Sequence, residues 1–321
     1  MKLSNKVKIS AIIPVSEHDR DDDVQSLYHE YKNSLQEYGK PFELIYVVDG
    51  HFPEVIEKLS VLQKEGEDIV VIKLAKWFGE ATALTAGFEQ AKGEWILTLP
   101  AYQQIESAGI SSLLDEMENV DMVISRRWPR IDSIINRFQS RIFNGMLKWI
   151  TGSSFNDLGC SVRVFKREVM EEVSIYGDLH RFLPMLAEQK GFTVTELKVA
   201  QSSKEKFIRL HRPGVMLRRM LDMLTVFFLV KFTKKPLRFF GLIGSTTLAL
   251  GGAVLLFVIG QRLFFDVPLA DRPALLLSAL FVVLGVQVFA MGLIGELIIF
   301  THAKDLKEYT IEEITPGKDA E

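Results

Sequence analysis

Cysteine is nearly absent from this chain. The single Cys160 among 321 residues excludes an internal disulfide and agrees with a reducing compartment. No histidine or other base stands beside it in sequence, so it reads as a small packed residue rather than a nucleophile. Internal repeats and low-complexity segments are lacking too, which argues against solenoid or linker-rich architectures. The apolar run within Met1–Val15 is too short for a secretory signal and is expected to open a domain. Charge all but vanishes from residues 237–264 and 274–300. Carboxylates are missing from "LTLPAYQQ", residues 97–104, and that absence has the largest consequence for chemistry.

What is present divides sharply. Residues 1 to about 235 are mixed in charge, and the whole chain carries a net charge of -3. No nucleic-acid partner is expected. The two weakly charged stretches each exceed the ~20 residues a helix needs to cross a hydrocarbon core. Both are apolar all round rather than striped, which favours a membrane hairpin over a pair of buried core helices. The segment from Lys204 to Arg238 holds ten basic residues against only Glu205 and Asp222, whereas the connecting "FDVPLADRP" has one, Arg272. Positive charge stays on the cytoplasmic side, so the N-terminal domain (1–200) and the tail (301–321) are both expected to be cytoplasmic. Between them, 201–236 forms a basic juxtamembrane segment. Within it, 213–235 fits a helix lying at the lipid interface, with a helix packed on the domain as the alternative.

The first half alternates between two patterns. "VKISAIIPV" (7–15), "FELIYVVD" (42–49), "IVVIKL" (69–74) and "EWILTL" (94–99) are short, β-branched and apolar, as buried parallel strands should be. Polar helical stretches at about 22–38, 53–65 and 79–92 lie between them. "DMVISR" (121–126), a helix over 130–151 and a closing strand "FTVTELKVA" follow. Strands alternating with helices predict a doubly wound α/β fold with a mostly parallel sheet.

In such sheets ligands bind beyond the carboxyl ends of the strands. "PVSEH", "VVDGHF" and "LPAYQQ" should therefore face the site. Asp49, followed by Gly50, is placed either to accept hydrogen bonds from a nucleobase or ribose or simply to form a turn. Gly79, Ala83, Ala86 and Gly87 allow close helix–sheet packing, at a helix whose N-terminus can face an anion.

"AIIPV", "LIYVVDG", "FGEATALTAGFEQAKGEWILTL", "NDLGCSVRVFKREVM", "LHRFLPMLAEQKGFTVTELKV", "DMLTVFFLVKFTKKPLRFFGLIG" and "ADRPALLLSALFVVLGVQVFAMGLIGELI" occur in one order along nearly the whole chain. That order resembles family-2 glycosyltransferases of the dolichyl-phosphate mannose synthase type, and more closely their bacterial membrane-anchored relatives that load a sugar onto a polyprenyl phosphate. The resemblance implies a GT-A-like fold, a place in the bacterial inner membrane, and a nucleotide sugar and polyprenyl phosphate as substrates. Pro14, Asp49 and Gly79 match nucleotide-binding positions. Asp157 matches an aspartate near the acceptor phosphate and the transferred sugar. Arg163 matches an arginine of the same motif, and Arg181 one in the "HRF" that follows. Arg126 and Arg127 match a basic pair that could meet phosphates. The ordinary alternatives are a capping Asp157 and surface arginines.

The departures from the family are equally specific. Its Asp-Ala-Asp after the fourth strand is Pro100-Ala101-Tyr102 here. The resemblance implies Mg²⁺ or Mn²⁺, but a divalent ion needs hard oxygen ligands, and neither Pro100 nor Tyr102 has a carboxylate. No metal ligand and no cofactor is predicted. The ion normally offsets charge on the leaving diphosphate, so its loss should remove several kcal/mol of transition-state stabilisation. At ~1.4 kcal/mol per tenfold, the rate would fall by orders of magnitude. The family's Tyr-Asn-Glu is Ser16-Glu17-His18, its Asn-Phe-Gly is Trp77-Phe78-Gly79, and its phosphate-gripping Ser-Lys pair is missing near residue 207. Lys204, Lys206 and Arg209 could supply fixed positive charge instead, and Glu80 or Glu106 a stray oxygen ligand.

Two readings follow. One is a transferase moving a hexose from a nucleotide sugar to polyprenyl phosphate, with catalysis lost or metal-independent. The other is a non-catalytic regulatory or scaffold partner of an active glycosyltransferase. Glycines in the first span allow close helix packing, so a homo-oligomer or a partner transferase is expected. Two spans with few polar residues offer no transport pathway.

Overall fold

The computed structural model describes residues 7–16, 23–130, 145, 155–173, 177–205, 236–265, 268 and 272–302. The chain divides into two compact units, one holding the N-terminal domain and the other the two apolar helices. The helix expected over 130–151, the interfacial helix 213–235, and Glu17, His18, Lys206 and Arg209 lie outside the described residues.

The N-terminal unit is built on a seven-stranded sheet in the order β3-β2-β1-β4-β6-β5-β7. Its strands are β1 (Ile9–Val15), β2 (Phe42–Val48), β3 (Ile69–Lys73), β4 (Trp95–Thr98), β5 (Met122–Arg127), β6 (Arg163–Lys166) and β7 (Val194–Val199). Every pairing is parallel except those of β6 with β4 and β5. Strands β1 and β4 are buried along their whole length, which explains their unbroken apolar runs. β6 was not legible as a separate strand. Because it runs against its neighbours, its first residue, Arg163, pairs with Thr98 at the end of β4 and so enters the sheet at the carboxyl edge of the parallel strands.

Helices α1 (Val24–Tyr38), α2 (Pro53–Lys64), α3 (Glu80–Gln90), α4 (Ala108–Glu116), α5 (Arg167–Glu172) and α6 (Leu183–Gln189) belong to this unit, with a 3-10 turn at Gly177–Phe182. α1 shows how sequence dictates the local form. The Asp23 carboxylate accepts a hydrogen bond from the Gln25 N–H at its start. Val24, Leu27, Tyr28, Tyr31 and Leu35 recur at helical spacing and are buried. Gly39, at φ +79°, ends the helix by donating its N–H to the Leu35 and Gln36 carbonyls. Burying each large apolar side chain of this stripe contributes about 1.5–3 kcal/mol.

The second unit consists of α7 (Pro236–Phe265) and α8 (Pro273–His302), two 30-residue helices that match the expected spans 237–264 and 274–300. Both are long and apolar enough to cross a membrane. They pack against each other through glycine: a Cβ at Gly244 would lie 2.6 Å from the Phe289 nitrogen, and one at Gly285 2.6 Å from the Leu248 nitrogen. Glu296 accepts a hydrogen bond from the Leu237 N–H at 3.3 Å, satisfying one of the open donors at the start of α7.

Candidate functional site

The carboxyl ends of β1, β2, β4, β5 and β7 and the amino end of β6 define one edge of the sheet, and the sequence-predicted residues collect there in two groups. The first lies around β1, β2 and α3. Asp49, just past β2, is 1 % exposed. Its two oxygens accept from the backbone N–H groups of Phe78 at 2.7 Å and Gly79 at 2.8 Å. Asp49 therefore shapes the β3–α3 loop rather than presenting a free acceptor. Gly79 adopts φ +101° as the N-cap of α3, a conformation that glycine enters without strain.

Beneath this loop is a cavity lined by Pro14, Leu84, Thr98, Leu99, Arg163 and His180. Glu80, the first residue of α3, closes it with an ion-pair contact of 3.1 Å to His180 Nε2. Burial would raise the Glu80 pKa, but His180, Arg181 and Arg163 overcome it and bring the carboxyl down to about 2. Glu80 is thus committed to a cationic neighbourhood, not to a metal. Arg181 belongs to that neighbourhood, beside the N-terminus of α3, where positive charge suits an anionic ligand. Arg163, matched to the motif of Asp157, lines the same cavity. It is buried, and its guanidinium donates to the carbonyls of Cys160, Leu158, His180 and Arg181. Burial pushes its pKa down to about 10. It staples the Asp157 loop to the 3-10 turn, which makes it a positioning residue.

The second group surrounds the ends of β5 and β7. Asp157 is 3 % exposed and accepts from Arg127 Nε and Nη2, both at 2.8 Å. Burial alone would raise the Asp157 pKa, but hydrogen bonds and charge from Arg127, with Arg130 beyond, hold it below the ordinary carboxylate range. The third arm of Arg127 donates to Glu205 at 2.7 Å. Arg127, one of the pair that could meet phosphates, has three of its guanidinium donors taken by the Asp157 and Glu205 carboxylates. Lys204 is exposed and paired with Glu30. Arg126 lies 3.7 Å from Glu196 and over the ring of Trp128.

Glu196 carries a role that sequence reasoning missed. Its carboxylate accepts from the backbone N–H groups of Asn156 at 2.6 Å and Asp157 at 2.9 Å, and from the Asn156 amide. An acid inside an otherwise strand-like "VTELKV" was the available signal. The sites of Glu205, Gln104 and Tyr31 left no such trace, since their partners lie far away in sequence.

The residues at the tip of β4 do not fit a divalent ion. The Tyr31 hydroxyl donates to the Pro100 carbonyl at 2.9 Å, with the Tyr102 carbonyl at 3.2 Å. The Tyr102 hydroxyl accepts from Gln104 Nε2 at 3.1 Å, and Gln104 Oε1 accepts from the Ser161 N–H at 2.8 Å. The oxygens of the tip thus serve internal hydrogen bonds, and no carboxylate stands among them. Among the described residues no group of three or more His, Cys, Asp or Glu side chains could hold a metal. Cys160 is buried, and its thiol pKa is raised by that burial, as expected of a packed residue.

The open, nearly parallel sheet with one reversed strand is of the GT-A type found in glycosyltransferases. The glucosyl-3-phosphoglycerate synthase of Mycobacterium tuberculosis, solved with Mg²⁺ and uridine diphosphate, has the same fold at a TM-score of 0.53 and 12% identity, over 69% of this chain and 79% of that one. Residues 10–174 match the family described as Glycosyl transferase family 2. The chain is 31% identical over 327 residues to an undecaprenyl-phosphate 4-deoxy-4-formamido-L-arabinose transferase of Yersinia enterocolitica, covering 100% of this chain and 98% of the relative. It is 25% identical over 305 residues to a dodecaprenyl-phosphate galacturonate synthase of Rhizobium johnstonii, covering 93% and 90%. The chain belongs to glycosyl transferase family 2.

Proposed function

We propose that this protein is a membrane-anchored transferase of the type that moves a hexose from a nucleotide sugar to polyprenyl phosphate, and that it does so without a divalent ion. The reading places α7 and α8 across the bilayer as a hairpin, with the sheet unit on the cytoplasmic side. The relatives' names support a polyprenyl phosphate as acceptor and a sugar as the group moved, a pentose derivative in one relative and a hexuronate in the other. The observation that carries the metal-free part is the tip of β4, where Pro100 and Tyr102 stand and their carbonyls face Tyr31.

The chemistry has modest requirements on the acceptor side. A phosphate monoester has its second pKa near ~6, so the attacking oxygen is already largely ionised at neutral pH and needs no strong base. It forms a bond to the anomeric carbon as the bond from that carbon to the nucleoside diphosphate breaks. The leaving diphosphate carries the electron pair away and needs positive charge nearby. In this chain Arg181 and the N-terminus of α3 are placed to supply it. Asp157, closed on Arg127, acts on loop geometry rather than as a base.

That closure also favours the second reading, a non-catalytic partner of an active glycosyltransferase, because a carboxylate bonded at both oxygens is withdrawn from substrate. One assay separates the two. Membranes holding the protein are given labelled nucleotide sugars and polyprenyl phosphate, with Mg²⁺ or with EDTA. Lipid-linked label at equal rates in both supports metal-free transfer. Label only with Mg²⁺ refutes it. No label, together with a second glycosyltransferase chain co-purified in mild detergent, establishes the partner role.

A further inference from the structure

We propose that Trp77 is the platform on which the nucleobase of a nucleoside diphosphate stacks, and that stacking has replaced hydrogen-bonded base readout in this chain. The inference rests on the nucleotide-sugar reading above and adds how the base is held.

Asp49 is the side chain best placed by sequence to accept a hydrogen bond from a base, but it is buried and its oxygens accept from the Phe78 and Gly79 N–H groups. The same two bonds have a second effect. They fix the backbone of the β3–α3 loop at Phe78 and Gly79, immediately after Trp77, at the carboxyl edge of the sheet. Trp77 is 63 % exposed and Phe78 48 %. Gly50 lies against this loop: a Cβ there would meet the Phe52 ring at 3.1 Å and the Trp77 Cβ at 3.9 Å. With φ +125°, Gly50 is also in a conformation that other residues enter only with strain. The β2–α2 and β3–α3 loops therefore meet at van der Waals distance beside Trp77, and the two bonds from Asp49 tie them together.

The two aromatics are not equivalent. The Lys76 ammonium sits over the Phe78 ring at 5.3 Å from its centroid, occupying one face. Trp77 engages no aromatic or cationic partner among the described residues. A large indole held in water by a loop tied at Phe78 and Gly79, beside the strand ends where ligands bind, loses little entropy when a flat ligand covers it. Every base has a π-face, so an aromatic platform accepts purines and pyrimidines alike, with the stronger stackers favoured. An acceptor carboxylate would instead have selected one base by its N–H pattern. The neighbouring Lys76 cation suits the phosphate-bearing character of the ligand.

The test is binding of UDP, CDP, GDP and ADP to the full-length protein in detergent, followed by titration calorimetry, with inorganic pyrophosphate as the base-free control. The four nucleotides should bind within about tenfold of one another. Trp77→Ala should weaken each by about tenfold or more, in line with the effect of removing one stacking ring, while Trp77→Phe keeps most of the affinity. Pyrophosphate affinity should be the same in Trp77→Ala and wild type, which a general collapse of the site would not allow. Unchanged nucleotide affinity in Trp77→Ala would overturn the proposal while leaving the nucleotide-sugar reading in place, as would a preference for one base of a thousandfold or more. Failure of all four nucleotides to bind the wild-type protein would overturn both.

Discussion

Asp157→Asn tests the buried charge network directly. Asp157 and Arg127 are 3 % and 7 % exposed at the side chain and bonded through two contacts of 2.8 Å. Solvent screening is therefore slight, and removing one charge strands the other. Breaking a buried pair from one side costs about 3–5 kcal/mol. Glu205 still compensates Arg127 through a contact of 2.7 Å, which puts the expected loss at the lower end, about 3 kcal/mol. For a unit of this size, ~2–4 °C is lost per kcal/mol, so thermal unfolding should fall by about 6–12 °C. The pH dependence has a definite sign. The folded pKa of Asp157 lies below its unfolded value, so its stabilisation is fully present above about pH 4 and is lost as pH falls through the folded pKa. The wild-type protein should lose more stability than Asp157→Asn between pH 6 and pH 3. Replacing the whole network, Arg127→Met with Asp157→Leu and Glu205→Gln, should recover most of the deficit, because none of its three charges is then left unpaired. Tryptophan-monitored melting in detergent reads all three proteins. A shift under 2 °C for Asp157→Asn at neutral pH would refute the account of Arg127 as a group held in place by buried carboxylates.

Restoring the family's carboxylates, Pro100→Asp with Tyr102→Asp, should make nucleotide affinity depend on Mn²⁺, read by titration with and without chelator; identical affinities would count against the tip as the seat of the change. Glu80 is ionised down to about pH 2, so its contribution persists from neutral pH to about pH 4 and disappears below; Glu80→Gln should flatten the acid limb of a denaturation profile between those values. Gly244→Ile should separate the apolar helices and lower detergent stability, because its Cβ would meet backbone at 2.6 Å, whereas Gly260→Ile, with nothing within 4 Å, should be silent in the same melting assay.

Much of the scaffold could be read from pattern. β1 to β4 and α1 to α3 differ from expectation by two residues or fewer at either end, because each strand is a buried apolar run bounded by turn residues and each helix has its own stripe. β6 escaped notice because four residues, "RVFK", carry no period of their own and are strand only through pairing with β4 and β5. For the candidate site, the sequence shows positions but not partners. Asp49, Gly79 and Asp157 lie at the carboxyl edge of the sheet. What they bond to is set by residues 29 to 39 positions away, and no local signal separates an Asp49 that reads a base from one that caps a loop. Arg127 illustrates the same limit: two adjacent arginines look alike in sequence, yet at the end of β5 one is half-buried and the other buried, because successive side chains point to opposite faces.

The Tyr31 hydroxyl ties the tip of β4 to α1. A loop that closes around a ligand must surrender freedom at each encounter, but a strand tip latched to a long helix has already given up part of it. A ligand bound at this tip would therefore be selected more by fit to an existing shape than by induced closure.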